Sequence, residues 1–546
     1  MLGKRVKKHR GLVPAIYTGD KNMCVRSIWE IILAAADLSN DQSSLVAFLG
    51  GAGVLDEDRP RQIETLGAII FLAEKRAYKL KRAVSYSFMD FSDLNKRNIA
   101  AKSELQVNRR TATNLYLGLT PVYRFGQSFR LGELCEELDP DQSVAAHLVT
   151  MERFEDGQTL DQLAEAGKLD GALIDQLADT IAGFHAKTPS VRRENAARSL
   201  TQAAQRTLRD ILAAKDLLGD CVDLLSEKME RTLTKMAPSI NHRGMTGYIK
   251  RLHGDLHLGN VVRINEEAVI FDALEFNSDM ATIDELHDLA FLVMDLWVRG
   301  ASELATRTWS RYLAARGAYE GQELAPLFIA MRAAVRTKVS LHAASLREGD
   351  DNEMKLAEAR RYLDMALSAL TEPKPRLVAI GGLSGSGKTR LAQSLAPLLA
   401  PPVGGVHLRS DAIRKRRAGQ PFDAKLPATA YTAAENFAVY ETLMNEAEEV
   451  LHQGRPVIVD AVFARESERE AAETIAKRLN IPFDGFWLDV DLFERQKRIE
   501  RRKNDISDAT PEVAARQESF ELGQIHWKRL NSIQSPLDRV TDALHL

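Results

Sequence analysis

The chain has 546 residues, 45% of them hydrophobic and 27% charged: too long for one core, and the balance of an ordinary globular protein rather than a disordered or membrane-embedded one. A net charge of −3 gives no global field that would gather nucleic acid or an anionic membrane surface. The three cysteines, Cys24, Cys135 and Cys221, are too scattered for a disulfide framework or a cysteine-ligated zinc, which fits a reducing cytoplasm, and no apolar run approaches the roughly 18 residues of a bilayer-spanning helix.

Residues 1–43 read as an extension. The basic start "MLGKRVKKHRGLVPAIY" lacks the apolar stretch and small-residue cleavage site of a secretory leader, and reads as a solvated, poorly ordered segment. Regular patterning begins at "SSLVAFLGG". "GAIIFL" and "AYKLK" predict two strands joined by a turn at "AEKR". Residues 93–116 predict a helix with Leu94, Ala101 and Leu105 on one apolar face, and "VYRFGQSFRLG" predicts a hairpin. Helical patterning follows from about 157 to 240. Then come "LHGDLHLGNVV" and "EEAVIFDALEFN", the latter a strand that ends on acids. More helix runs from 283 to about 370, and "TEPKP", 371–375, breaks it as a linker. From 376 to 546 the apolar strands "RLVAIGG", "GGVHLRSD", "PVIVDAVF" and "FDGFWLDVD" alternate with helices, which predicts a parallel, doubly wound sheet with "RVTDALHL" as a last strand. The expected division is a β-rich lobe plus helices over 44–370, a linker, and an α/β domain over 376–546.

"HGDLHLGN" admits two chemistries. His253 and His257, four apart, would share a helix face as zinc ligands do, but Gly254 and Gly259 argue against a helix and no glutamate stands beside the first histidine. The phosphotransfer pattern His-x-Asp-x4-Asn fits His253, Asp255 and Asn260. Asp255 would orient or accept the proton of an attacking hydroxyl. Asn260 and Asp272, the latter seventeen residues after Asp255, would supply hard oxygens for Mg²⁺, and Glu275 adds to the metal or substrate shell. Such a site also needs a lysine on a small-lobe strand to pair with the phosphates of ATP, and a helix glutamate to hold it. Lys79, with Lys81 on the same face as the alternative, and Glu104 occupy those places. Alone, a strand lysine is usually a solvated tip and a helix glutamate usually faces water; the downstream loop gives them meaning.

These motifs resemble the aminoglycoside phosphotransferase and choline kinase-like branch of the protein kinase fold. The glycine before Asp255 is typical of that branch. The resemblance implies a two-lobed α+β domain with "VTMERF" as the hinge between lobes. It also implies structural roles for two acids of "DELHDLA": Asp284 as a helix cap and Asp288 as a brace under the catalytic loop.

"GLSGSGKT", Gly382 to Thr389, is a complete G-x-x-x-x-G-K-[ST] motif between a strand and a helix. The backbone of Gly382, Ser384, Gly385, Ser386 and Gly387 would wrap the phosphates of ATP at a helix N-terminus. Lys388 would reach the β- and γ-phosphates, and Thr389 would hold Mg²⁺ with Asp460. A strand ending in Asp-Glu is absent: Asp460 is followed by Ala461. Asp411 stands where an acid would orient the acceptor hydroxyl, the alternative being a helix cap after Ser410. Arg498 and Arg502, four apart on a basic helix, would clamp phosphates in the transition state, the alternative being a solvated face. This half resembles P-loop kinases of the gluconate kinase, chloramphenicol phosphotransferase and zeta toxin type. The order of the halves resembles a bacterial family described as bifunctional aminoglycoside phosphotransferase/ATP-binding protein, over nearly everything after residue 44.

The expected function is an ATP- and Mg²⁺-dependent, bifunctional phosphotransferase in the cytoplasm, acting on hydroxyls of small molecules: sugars, nucleosides or antibiotic-like compounds. An aminoglycoside is a polycation and would call for an acidic cleft. Two alternatives stand beside it: an ATP-binding switch in which the P-loop half gates the other half or a partner, and a toxin-like kinase of nucleotide sugars or RNA ends. Net acidity disfavours nucleic acid as a partner, no membrane association is expected, and nothing in the composition excludes an oligomer.

Overall fold

The computed structural model describes residues 42–56, 58–86, 89–400, 402–501, 506–531 and 536–546. The extension expected over 1–43 falls almost wholly outside them, as does Arg502. The described residues form two compact units, one up to residue 102 with 118–151, the other of 103–117 and from 152 onward. No described helix is long and apolar enough to cross a membrane.

The first unit is built on a six-stranded sheet. Its strands are β1 (Arg61–Glu64), β2 (Ala68–Leu72), β3 (Arg76–Lys81), β4 (Tyr116–Phe125), β5 (Ser128–Leu131) and β6 (Val144–Glu152), in the order β1-β2-β3-β6-β4-β5. The two expected hairpins are present: Ile70 faces Lys79 across β2 and β3, and Val122 faces Leu131 across β4 and β5. Phe71, Leu80, Val122 and Leu148 bury one face together with Leu45 and Leu49 of helix α1 (Ser43–Leu49).

Helix α2 (Leu94–Asn108) carries the chain into the second unit. It ends eight residues before the expected stop. The Asn108 side chain donates to the Glu104 carbonyl (2.9 Å), and the Arg109 guanidinium takes the carbonyls of Tyr116 and Leu117 (2.9 and 2.6 Å). Local bonds of this kind, followed by two β-branched threonines, turn the backbone back instead of extending the helix.

The second unit contains α3 (Gly171–Lys187), α4 (Ala196–Leu212) and α5 (Cys221–Met245), then β7 (Ile249–Arg251), the hairpin β8 (Val261–Ile264) and β9 (Glu267–Ile270), and β10 (Thr282–Asp284). Helices α6 (Glu285–Val298), α7 (Ser302–Arg316), α8 (Ala325–Ser345) and α9 (Asp350–Ala369) follow. Asp170 caps α3 through Ala172 and Leu173 N–H groups, and Asp284 caps α6 through Leu286 N–H.

Beyond the linker, β11 (Leu377–Gly381), α10 (Lys388–Leu395), β12 (Val406–Arg409), α11 (Ser410–Arg417), α12 (Ala433–His452), β13 (Val457–Asp460), α13 (Glu466–Leu479), β14 (Phe483–Asp489), α14 (Leu492–Glu500), α15 (Pro511–Gln517), β15 (Lys528–Asn531) and α16 (Pro536–Leu544) alternate as expected. The sheet is parallel, in the order β12-β13-β11-β14-β15. One difference from the sequence reading has a clear cause. "RVTDALHL" is helical, not a strand: Val540 and Leu544, four apart, bury one face of α16 against the sheet, and Pro536 opens the helix. The basic helix α14 is described to Glu500, and Arg502 lies outside the described residues.

The core does not stop at the linker. One apolar cluster runs from Leu177, Leu289, Trp309 and Phe328 into Leu377, Ala379, Val406 and Leu408 of the parallel sheet. The alternate residues Val378 and Ile380 face the other side, against Leu391, Val540 and Leu544.

A buried ion pair fixes the start of α6. Arg243 bonds both oxygens of Asp284 (2.6 and 2.9 Å), stacks on Tyr248 and gives a further N–H to the Glu320 carbonyl (2.7 Å). Replacing Asp284 by Ala leaves a guanidinium buried without its partner and removes a helix cap. Urea unfolding should show a loss of about 3–5 kcal/mol, against a smaller loss for Asp284→Asn, which keeps the cap acceptor.

Candidate active site

The loop after β7 is shaped by bonds to the helices beneath it. Asp288 of α6 is fully buried and accepts from His253 N–H (3.2 Å) and Gly254 N–H (2.8 Å). One α-helical heptad later, Asp295 accepts from Leu258 N–H (3.1 Å) and is held by Arg299 (3.0 Å). Arg332 of α8 reaches the Gly254 carbonyl (3.2 Å). The roles expected for Asp284 and Asp288, cap and brace, are the ones seen.

Neither histidine is on a helix, and both have their nitrogens engaged. His253 Nε2 donates to the Phe271 carbonyl (2.9 Å) and Nδ1 accepts from Asp255 N–H (3.3 Å); burial pushes its pKa down, keeping it neutral. His257 Nδ1 accepts from Gly259 N–H (3.1 Å), so Nε2 carries the proton towards Asp255 Oδ2, 3.5 Å away. Burial opposes ionisation of the Asp255 carboxyl, but His257 outweighs it and holds the group below the ordinary carboxylate range. Asn260 Nδ2 donates to the same Asp255 oxygen (3.1 Å) and to the Asp255 carbonyl (2.9 Å). Two donors on Oδ2 leave Oδ1 to take a proton. The carboxylate is 44% exposed, so an incoming hydroxyl can reach it.

Asp272 follows β9 in the left-handed region, φ +60°, where a non-glycine residue needs outside support. Support comes from two residues that sequence reasoning missed. Tyr116 Oη accepts the Asp272 N–H (3.1 Å), and Asn108 Oδ1 accepts the Ala273 N–H (2.7 Å). The residue before, Phe271, donates to the Asn260 carbonyl (3.0 Å), so the loop carrying Asn260 and the turn carrying Asp272 are bonded together. Ser103 Oγ donates to the Glu275 carbonyl (3.2 Å). Hard oxygen donors on two linked, rigid turns fit a magnesium ion. In the same unit Glu104 is fully buried on α2; in the other unit Lys79 and Lys81 are buried on one face of β3, Lys81 over the Phe91 ring. No signal in the one-dimensional pattern marked Asn108, because it reads as an ordinary polar residue at a helix end.

In the other half, the 382–387 loop joins β11 to α10. At Gly385 (φ +88°) an added Cβ would lie 2.6 Å from the Arg495 carbonyl, and at Gly382 (φ +139°) 2.8 Å from the Leu488 carbonyl, so only glycine serves at either place. Lys388 Nζ rests on the Leu383 carbonyl (3.3 Å). Thr389 Oγ1 donates to Asp460 Oδ2 (2.6 Å), and His407 Nε2 stands 3.3 Å from the same oxygen. Burial opposes the charge on Asp460, but the His407 bond and nearby Lys388 and Arg409 hold the carboxyl well below its ordinary range. A glycine cradle with a hydroxyl and a carboxylate side by side fits a nucleotide phosphate chain with Mg²⁺.

Arg498 borders the loop, donating to the Ser386 carbonyl (3.2 Å) and pairing with Glu494 (2.8 Å). Gln517 of α15, unmarked by the sequence, accepts the Ser384 N–H at Oε1 (2.7 Å) and donates from Nε2 to Ser384 Oγ (3.0 Å). The Ser386 side chain is fully buried. Asp411 lies in the first turn of α11, two residues after the Arg409 N-cap, so it is not the cap. Asp508 gathers the neighbouring 419–432 segment: it accepts from Tyr431 Oη (2.7 Å), Leu426 N–H (3.1 Å) and Lys415 (3.1 Å).

Residues 135–327 match the model of a phosphotransferase enzyme family, and residues 377–522 match that of an AAA domain. The chain joins a phosphotransferase-family domain to a P-loop domain. It is 28% identical over 464 residues to uncharacterized proteins of Mycobacterium tuberculosis and Mycobacterium bovis, covering 83% of this chain and 88% of theirs. Among solved structures it is similar to a choline/ethanolamine kinase family protein from Mesorhizobium loti (14% identity, TM-score 0.36, 60% of this chain and 98% of that one). It is also similar to a gluconokinase from Sinorhizobium meliloti (18%, 0.23, 32% and 97%). The family matches and the five-stranded parallel sheet give a phosphotransferase-type domain followed by an α/β P-loop domain, and domains of both types imply ATP use.

Asp288 offers a direct test of the bracing. Burial opposes its ionisation, yet the His185 bond with His253 and Arg332 nearby brings its pKa down to about 2. A carboxyl whose folded pKa is depressed adds stability above its unfolded value and loses it as pH falls. The contribution, about 2 kcal/mol, should be complete above pH 5 and vanish between about pH 4 and 2. The gap in unfolding free energy between the wild type and Asp288→Asn should narrow over that window.

Proposed function

We propose that both halves transfer the γ-phosphoryl group of ATP to hydroxyls of small molecules. The observation that carries this reading is the geometry at Asp255. His257 and Asn260 both hold Oδ2, fixing the carboxylate with its other oxygen open. An acceptor hydroxyl placed there gives its proton to Asp255 as its oxygen attacks the γ-phosphorus. The bond to the β-phosphate oxygen breaks and ADP leaves with the electron pair. Positioning and charge neutralisation supply most of the rate.

Asn260 and Asp272 would hold Mg²⁺ in the kinase-like half, with Lys79 or Lys81 and Glu104 serving the phosphates. Thr389 and Asp460 would hold it in the P-loop half. Bound there, the ion would offset the charge of the phosphate oxygens. In the second site Lys388 reaches the transferred group once it leaves the Leu383 carbonyl, Arg498 swings from Ser386 to the phosphates, and Asp411 orients the acceptor. Arg332 close to Asp255 supports a neutral or anionic acceptor over a polycation. The setting is a reducing cytoplasm.

The test is transfer from γ-labelled ATP into a bacterial metabolite extract. Asp255→Asn should lower labelling by the kinase-like half about 10²–10⁴-fold, the usual range for a general base. Lys388→Ala should abolish the product of the P-loop half while that of the kinase-like half is still formed. ATP turnover with no labelled acceptor in any fraction would contradict the reading.

A further inference from the structure

Helix α7 bonds residues that in turn contact each site. On one side Ser310 Oγ accepts the N–H of His407 (3.0 Å), which lies on the edge strand β12 of the parallel sheet. Asp460 can only accept, so His407 Nε2 donates to its Oδ2, the atom that also takes the Thr389 hydroxyl. On the other side Tyr312 Oη bonds His185 Nδ1 (2.9 Å), and His185 Nε2 bonds Asp288 (3.2 Å), the brace of the catalytic loop. Ser310 and Tyr312 are two residues apart on one helix. An unbroken sequence of hydrogen bonds and little more than half a helical turn therefore joins Thr389 to Gly254. His185, Tyr312, Asp288 and His407 are all buried, where solvent does not dissipate such coupling.

The helix is also stiffly mounted. Arg307 and Arg311 make bidentate pairs with Asp175 and Asp179 of α3, all four bonds 2.6–2.8 Å, and α3 is the helix that carries His185. Arg416 of α11 donates to the Ala314 carbonyl at the end of α7 (3.0 Å). A small cavity of about 40 Å³, bounded by Arg307, Ser310, His407 and Arg409, leaves room for side chains to change partners at the contact.

We propose that nucleotide bound at the P-loop regulates the kinase-like site through α7, by changing what Asp460 holds. This rests on the reading of 382–389 as a nucleotide site. In P-loops the threonine hydroxyl turns to the metal ion. Thr389 then leaves Asp460 Oδ2 for the ion, which the same carboxylate would help to hold, so the bond that His407 makes to that oxygen changes. The shift reaches Ser310, then Tyr312 and His185, and alters how firmly Asp288 holds the 253–254 amides. The P-loop half thus acts as an effector site for the kinase-like half.

The test uses the full chain carrying Asp272→Ala, which disables the kinase-like metal site, with Mg·AMP-PNP as probe. Amide hydrogen exchange over 253–260 should slow about fivefold on saturation, the low end of typical allosteric coupling. Adding Tyr312→Phe or Ser310→Ala should abolish that response while the affinity for Mg·AMP-PNP stays unchanged. Ser310→Ala removes one hydroxyl from an otherwise intact helix and carries the test if Tyr312→Phe does not fold. Unaltered exchange at saturation, or the same response in both path variants, overturns the proposal. Binding that survives Lys388→Ala in this background would instead sink the P-loop reading, a result distinct from a P-loop that binds and leaves the loop silent.

Discussion

The kinase-like half depends on one buried carboxylate. Asp288 takes two backbone N–H groups of the catalytic loop and the Nε2 proton of His185, with no solvent contact. Each bond alone is modest, but a buried acceptor stripped of its donors, or a donor stripped of its acceptor, costs far more than the bond is worth. The loop is therefore fixed in one shape, and Asp255 and Asn260 are set at their mutual distance before any substrate arrives. Asp295 repeats the device one heptad on, so a single face of α6 supports the whole of 253–260.

The P-loop half solves the same problem differently. Its loop is shaped by glycines that admit close carbonyls, and its acidic partner is held by a hydroxyl and an imidazole. Sharing of a core between the halves follows from burial. The edge strand β12 would leave its N–H groups open, and α7 covers it, with Ser310 taking one of them. Leu377, Ala379, Val406 and Leu408 then pack with Trp309 and Phe328 in one cluster. A chain built this way has no independent second domain to release, which is the physical ground on which two phosphate sites come to influence each other.

Much of this was legible in the residues. The His-x-Asp-x4-Asn spacing and the glycine-rich motif each encode local backbone chemistry, so Asp255, Asn260, Asp272, Lys388 and Thr389 could be named from sequence, and alternating apolar runs marked the strands. What escaped was set by tertiary contact. "RVTDALHL" alternates well enough for a strand, and only its docking on the sheet makes Val540 and Leu544 a helical face. Tyr116, Asn108, Gln517 and His185 act across about 100 to 160 residues of sequence, and no local pattern distinguishes them from ordinary polar positions.

The central claim is that one chain holds two nucleotide sites of unrelated architecture. Calorimetric titration of the intact protein with Mg·AMP-PNP tests it most directly. Two molecules should bind per chain, with Asp272→Ala and Lys388→Ala each removing a different one and the double variant removing both. A single site in the intact chain, lost to only one of the two substitutions, would contradict the account.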